Sequence, residues 1–229
     1  MAAGNSVNDE ILEQRRKVLE EEGLKGKIKY FVYYYKWHAA IALFLLIFIV
    51  NFIVNIAAKK DTALQVIFIN GFPNVENEEF MDGFEQTINI NPKKEEALLD
   101  SSFYINPESP GIYDEQNMEK IFVMASAGVL DVCISDETYF ETLAEGGYLL
   151  DLSTVFSEEE MEEYKDRIFY YDSPNNLAQG KEPVGLEITN APKLVETQSF
   201  PNSKAYFCII MNSEHVDNAL AFLDYLESP

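Results

Sequence analysis

Histidine, cysteine and tryptophan are nearly missing from this chain, and cationic side chains are scarce. Its 229 residues include two histidines, two cysteines, one tryptophan, and 17 Lys+Arg against 39 Asp+Glu. The histidines, His38 and His215, lie far apart in sequence. They exclude a histidine-rich metal site and leave little material for a Ser-His-Asp triad. Two cysteines allow one disulfide at most, which excludes a disulfide scaffold. Cys133 and Cys208 each sit inside an apolar, strand-like run, where a buried free thiol is expected. The shortage of positive charge is concentrated beyond Lys60, where 8 cationic and 33 anionic side chains leave a net of −25. Such a surface repels phosphate backbones, so nucleic acid is excluded as a partner. Cations, basic peptides or plain solubility remain as reasons for it.

Sequence motifs of catalysis are missing as well. There is no G-x-S-x-G, Walker loop, G-x-G-x-x-G or C-x-x-C, and no Asn-x-Ser/Thr acceptor of a glycosylated ectodomain. Asp172-Ser-Pro-Asn-Asn176 offers oxygens but lacks the spacing of a calcium loop, and reads as a turn. The acidic run Glu158–Glu163 reads as a solvated helix face. No enzymatic reaction and no cofactor is expected.

What the chain does have is one long apolar run. Trp37 to Ala58 is 22 residues without a formal charge. At 1.5 Å per residue, a helix of that length spans a hydrocarbon core about 30 Å thick. The run exceeds the roughly 7–15 apolar residues of a signal peptide and ends Ile56-Ala57-Ala58-Lys59-Lys60, a poor cleavage site. An uncleaved anchor is expected. Arg15, Arg16, Lys17, Lys25, Lys27, Lys29 and Lys36 precede it and only Lys59 and Lys60 follow, which puts the N-terminus in the cytoplasm. Tyr30, Phe31, Tyr33, Tyr34, Tyr35 and Trp37 supply an aromatic collar at the inner interface. Asn51 and Asn55 share a helix face. Either they hydrogen-bond across a helix pair, or Asn51 pairs locally while Asn55 reaches the outer interface. Residues 8–23 read as a short charged helix ended by Gly23.

Beyond Lys60 the pattern alternates. Leu64–Ile69 is a continuous apolar run, as in a strand covered on both faces, stopped by Asn70-Gly71-Phe72-Pro73. A helix follows with Asn74 as its cap and Phe80, Met81, Phe84 and Ile88 on one face. Ser102–Ile105 is a second strand, and Pro110-Gly111 a turn. Asp114 caps a helix with Met118, Ile121, Phe122 and Ala125 inward, ended by Gly128. Val129–Ile134 is the third strand. Asp136 opens a helix through Tyr139, Phe140, Leu143 and Ala144 that closes at Gly146-Gly147. Ser157 and Glu160 form a capping-box pair. Val184–Thr189 and Ala205–Met211 are further strands, the latter inserted among the earlier ones because it is apolar throughout. A final helix carries Val216, Ala219, Leu220, Leu223 and Leu226, and the stretch 166–204 is the least ordered.

The expected fold is therefore α/β: one N-terminal transmembrane helix, then a three-layer α/β domain with a mainly parallel sheet. Residues 1–28 are expected in the cytoplasm, 29–60 as the membrane helix with its collar, and 61–229 as the external domain. In open α/β sheets, ligands sit beyond the carboxyl ends of the strands. Here that position selects Asn70, Gly71, Asn106, Ser135, Asp136 and Glu137 as ligand-contact residues, with Asp136 also a helix cap.

The wording of the third unit carries a resemblance. Lys120–Gly128, Leu130–Asp136, Phe140–Gly146 and Tyr148-Leu-Leu-Asp-Leu-Ser153 resemble bacterial extracellular solute-binding proteins of the type 2 periplasmic-binding-protein kind. Ala205–Ser213 and Asn218–Leu226 look like the return strand and last helix of that family, and the likeness covers 63–153 and 184–227. Lys29–His38 is similar to the run before the anchor in uncharacterised membrane proteins of Clostridia-type bacteria. The resemblance implies a binding or interaction module. Only 30 residues separate Ser153 from Val184, where a second lobe would be inserted, so a single lobe on a membrane tether is expected. Its partners are the membrane and either a small solute or a membrane-protein partner. A structural subunit of a membrane complex that binds no solute is the alternative.

Overall fold

Gly23 has a φ of +55°, the left-handed region that glycine enters without steric cost, and there the helical N-terminal segment divides. Helix α1 (Val7–Glu21) precedes it and α2 (Gly23–Ala58) begins at it. These features belong to a computed structural model that describes residues 7–21, 23–106, 111–172 and 180–229. Helix α2 has 36 residues and no proline to interrupt its ladder. Within it Phe31–Val54, 24 residues of mean hydropathy 2.4, is long and apolar enough to cross a membrane, and none of it is buried by the rest of the chain. By length and composition such a segment near the N-terminus meets the requirement for a membrane anchor or a signal sequence. Asn51 Nδ2 donates locally to the Ile47 carbonyl at 2.9 Å. The Asn55 side chain lies outside the described residues, as do Pro110 and 173–179 with most of the oxygen-rich turn.

The chain forms two compact units, Met1–Lys59 and Lys60–Pro229. The second is built on one six-stranded sheet in the order β2-β1-β3-β6-β5-β4. Its strands are β1 (Asp61–Ile69), β2 (Glu95–Phe103), β3 (Val132–Asp136), β4 (Ile168–Tyr171), β5 (Glu182–Glu187) and β6 (Ala205–Ile209). β1 pairs in parallel with β2 and β3, while β3–β6, β6–β5 and β5–β4 are antiparallel. The expectation of a mainly parallel sheet is thus corrected to a mixed one. The reason is where the chain turns. After β5 the segment through α7 (Pro192–Thr197) stays at the carboxyl end of β1, where Phe72 and Asn74 N–H groups donate to the Ser199 and Thr197 carbonyls at 3.1 and 2.9 Å. The chain therefore re-enters the sheet downward as β6, and no crossover returns it to a parallel start. β6 does lie among the earlier strands, and all five of its residues are buried.

Helices cover both faces. Leu64, Val66 and Phe68 meet α3 (Asn77–Glu85) and α8 (Val216–Glu227) through Phe84, Phe222 and Leu226. Ile67, Ile69 and Cys133 meet α4 (Ile112–Ser126) and α5 (Glu137–Gly146) through Ile121, Phe140 and Leu143. Phe84 and Phe222 rings cross edge to face at 5.0 Å, a preferred aromatic geometry. Burying each such side chain contributes roughly 1.5–3 kcal/mol.

Boundaries differ from expectation in several places, the third strand among them, which runs Val132–Asp136 and not Val129–Ile134. The second strand spans Glu95–Phe103, ending where it was expected to begin, because exposed and buried residues mix along this edge strand. The N-cap of α3 is Glu76, not Asn74, and that of α4 is Gly111, with Asp114 at the third helical position. The stretch 166–204 holds β4, β5 and α7 among its described residues. α6 (Glu158–Tyr164) carries the expected capping box: Glu160 N–H donates to Ser157 Oγ at 3.2 Å and Ser157 N–H to Glu160 Oε2 at 2.7 Å. Edge strand β2 is masked by α3. Glu85 Oε1 accepts from Ala97 N–H at 2.6 Å, and Asn77 Nδ2 donates to the Leu99 carbonyl at 3.1 Å. Edge groups satisfied this way are not open to pairing with another chain.

Candidate contact surface at the carboxyl end of the sheet

Asn70 ends β1 with φ at 59°, a conformation asparagine tolerates better than most residues. Its N–H donates to the Phe103 carbonyl at 2.9 Å, and Oδ1 accepts from Ile105 N–H at 2.8 Å. Its Nδ2 donates to Asp136 Oδ2 at 2.8 Å. One side chain thus ties together the ends of β1, β2 and β3. The second Asp136 oxygen accepts from Tyr139 N–H at 3.0 Å, so Asp136 is the N-cap of α5. Glu137 Oε1 accepts from the Tyr206 hydroxyl at 3.3 Å. Burial and then the Glu137 charge push the Tyr206 hydroxyl above its usual range.

Gly71 is a packing position. A Cβ there would stand 2.3 Å from the Phe200 ring. Asn106 N–H donates to Asp114 Oδ1 at 2.9 Å and Gly111 N–H to Asp114 Oδ2 at 2.6 Å. The Asn106 bond first, then the Gly111 bond, holds the Asp114 carboxyl below its ordinary range. Ser135 Oγ and the Tyr139 hydroxyl, both buried, make no hydrogen bond among the described residues. Burial pushes the Tyr139 hydroxyl far up. Two residues inward from Ser135 on the same face of β3, Cys133 stands opposite Cys208. Both are buried free thiols, with Cys208 Sγ 3.3 Å from the Cys133 carbonyl. Burial, then the Cys208 contact, raises the Cys133 thiol.

The fold thus brings Asn70 and Asp136 into contact and sets Gly71 and Glu137 beside them. It buries Ser135 beneath and holds Asn106 at the same end through Asp114. Their polar groups are largely spent on the chain itself. Cavities of about 710, 590, 320 and 170 Å³ in the domain are lined by other residues. Large apolar side chains stand exposed at this end, beside exposed Glu137 and Thr138. Phe72 and Tyr104 are 56% and 53% exposed with ring centroids 6.0 Å apart, and Ile112 and Tyr113 are 73% and 82% exposed. Asn117 Nδ2 donates to the Tyr104 carbonyl at 3.0 Å and fixes α4 beside them. Sequence reasoning missed these aromatics as a group. The available signal was an aromatic inside the Asn-Gly-Phe-Pro turn and others beside Asn106, where no core requires one.

A second cluster was also missed, at the opposite end of the sheet. Asp131 is buried, its Oδ2 accepting from Gln65 N–H at 2.7 Å and its Oδ1 from the Ser213 hydroxyl at 2.7 Å. His215 Nδ1 lies 3.2 and 3.1 Å from the two oxygens. A carboxylate only accepts, so Nδ1 carries the proton. Ser213 Oγ and His215 Nδ1 both bond Asp131, and the only His215 group on Ser213 Oγ is its backbone N–H at 3.1 Å, which is not the relay order of a catalytic triad. Its signal was a charged residue inside the apolar run 129–134. Among the described residues, no group of three or more His, Cys, Asp or Glu is placed to hold a metal ion.

Comparisons with protein-family models, with curated proteins and with solved structures give no match. Fold and surface therefore define a class only: a mixed-sheet α/β domain that follows one long apolar helix.

Proposed function

We propose that the chain is a membrane-tethered, non-catalytic interaction module. Its apolar helix is retained as an anchor, its N-terminus lies in the cytoplasm, and its acidic domain faces outward as a single solute-binding-like lobe. The exposed group Phe72, Tyr104, Ile112 and Tyr113 carries this reading. Aromatic residues are enriched where proteins bind one another, and these four large apolar side chains are exposed with Phe72 and Tyr104 in ring contact. Asn70, Gly71, Asn106, Ser135, Asp136 and Glu137 shape the rigid base from which these side chains project. The basic flank Arg15–Lys36 supports the orientation.

The alternative is an assembly subunit that binds no solute. The internal satisfaction of Asn70, Asp136 and Asp114 favours it over solute capture. A photo-crosslinking residue at Tyr104 or Tyr113, in intact membranes, should trap a protein partner, whereas one at Glu158 should not. The full chain should show no rise in unfolding temperature with saturating sugars, amino acids or divalent ions. A rise with one solute class, abolished by Asp136→Ala, would replace partner binding by solute binding.

A further inference from the structure

Helix α4 leaves a strip of its surface uncovered, continuous with the aromatic end of the sheet. At 100° per residue, Ile112, Glu119 and Val123 share one azimuth, with Glu115, Phe122 and Ser126 alongside. A shallow groove of about 710 Å³ follows this strip, lined by the apolar Met118, Phe122, Val123 and Ala127 together with Glu115, Glu119 and Ser126. Val123 is 60% exposed, although a valine on a domain-covering helix gains nothing from solvent. The cation of this helix is directed elsewhere. Lys120 Nζ lies 3.4 Å from Asp100 and 4.5 Å above the Phe103 ring.

We infer that this strip is the docking site of a cationic amphipathic helix on a partner protein; the inference rests on the interaction-module reading and names the partner's chemistry. Three observations select that occupant. The strip runs along a helix about 22 Å long, the reach of 15 helical residues. Ser126 and Ala127 at one end are small enough for a second backbone to approach closely. Glu115 and Glu119, one turn apart, match Lys or Arg one turn apart on a facing helix. A second copy of this chain is excluded by charge, since two domains of −25 repel.

The test uses the full chain in nanodiscs of zwitterionic lipid. The probe is a fluorescent helical peptide of about 15 residues, with leucine along one face and lysine on the other. Binding should saturate and should weaken roughly tenfold in Glu115→Lys/Glu119→Lys. The remote pair Glu158→Lys/Glu159→Lys should change it by less than about threefold, although the net charge falls equally. Val123→Asp should weaken binding despite its added negative charge, because part of the apolar lining is lost. All five positions are exposed, and unchanged unfolding temperatures confirm that the fold is retained. Equal weakening by both double variants, no effect of Val123→Asp, or no saturable binding would each overturn the inference. If the Tyr113 cross-link still forms in that case, the interaction module stands with a different partner surface. If it does not form, the module reading fails as well.

Discussion

Removing the Asp131 carboxylate should unlock the end of the sheet opposite the aromatic patch. Asp131→Ala takes the acceptor from three donors: Gln65 N–H at 2.7 Å, the Ser213 hydroxyl at 2.7 Å and His215 Nδ1 at 3.1 Å. Gln65 N–H belongs to the central strand β1, and a buried donor left unpaired costs about 1–3 kcal/mol. Ser213 and His215 are half-buried, so water replaces part of what they lose, at about 0.5–1 kcal/mol each. The sum is about 2–5 kcal/mol. In a domain of this size that lowers the unfolding temperature by about 10 °C. Asp131→Asn keeps one carbonyl oxygen but turns an amide donor toward other donors, and should cost about half as much. The measurement is urea unfolding of the full chain, followed by near-ultraviolet circular dichroism. Tryptophan fluorescence does not report on this domain, because the only tryptophan is Trp37 in α2. An alanine variant within about 0.5 kcal/mol of the parent would refute the reasoning and make the network a surface feature.

Truncation before Ala205 should abolish cooperative unfolding. It removes Phe207, Ile209, Phe222, Leu223 and Leu226 from the core, about 8–15 kcal/mol of burial against a typical total stability of 5–15 kcal/mol; a retained sharp melt would make the segment an appendage. Gly185→Ala should cost about 1–3 kcal/mol, since its Cβ would meet the Phe140 ring at 2.2 Å and Tyr206 and Phe169 hold that ring at 4.9 and 5.0 Å. Trimming Phe140 to leucine in the same chain should restore part of the loss in unfolding midpoint. Asp114, depressed below 3.8 in the folded chain, stabilises the start of α4 at every pH above 3.8, and that contribution fades as pH falls through the folded value. Protection of the Asn106 and Gly111 amides against exchange, taken relative to the intrinsic rate at each pH, should therefore fall at acid pH, and Asp114→Asn should show the lower protection already at neutrality. Protease added to intact cells should remove epitopes beyond Lys60 and spare one at the N-terminus; protection of the C-terminal epitope would reverse the topology.

Elements with a covalent or local cause were legible. Gly147, at φ +69° after α5, and the reciprocal Ser157–Glu160 pair follow from chemistry within a few residues. So did the apolar helix and most helices of the described core, although α7 was not expected and Phe222 emerged as a core residue that the periodicity of α8 had not singled out. The candidate site was legible in place and not in kind. Asn70, Asp136 and Asn106 do gather at the carboxyl end of the sheet, as the alternation of strands and helices requires. That Asn70 bonds Asp136 and the Ile105 backbone depends on distances between segments 66 and 35 residues apart, and Phe72 and Tyr104, whose rings meet, belong to separate strand ends.

The sequence by itself determined that an apolar segment precedes an acidic domain, that this domain alternates strand and helix, and that β1 and β6 are covered on both faces. Each of these is a property of composition or of short-range periodicity. Only the tertiary structure decided strand direction. An apolar run records how much of a strand is buried, and it reads the same whichever way the strand points. Direction depends on the loop that enters it, and here the Thr189–Lys204 connection, held at one end of the sheet by Phe72 and Asn74, turned β6 antiparallel. The same long-range closure set Asp131 beneath Ser213 and His215, 82 and 84 residues away.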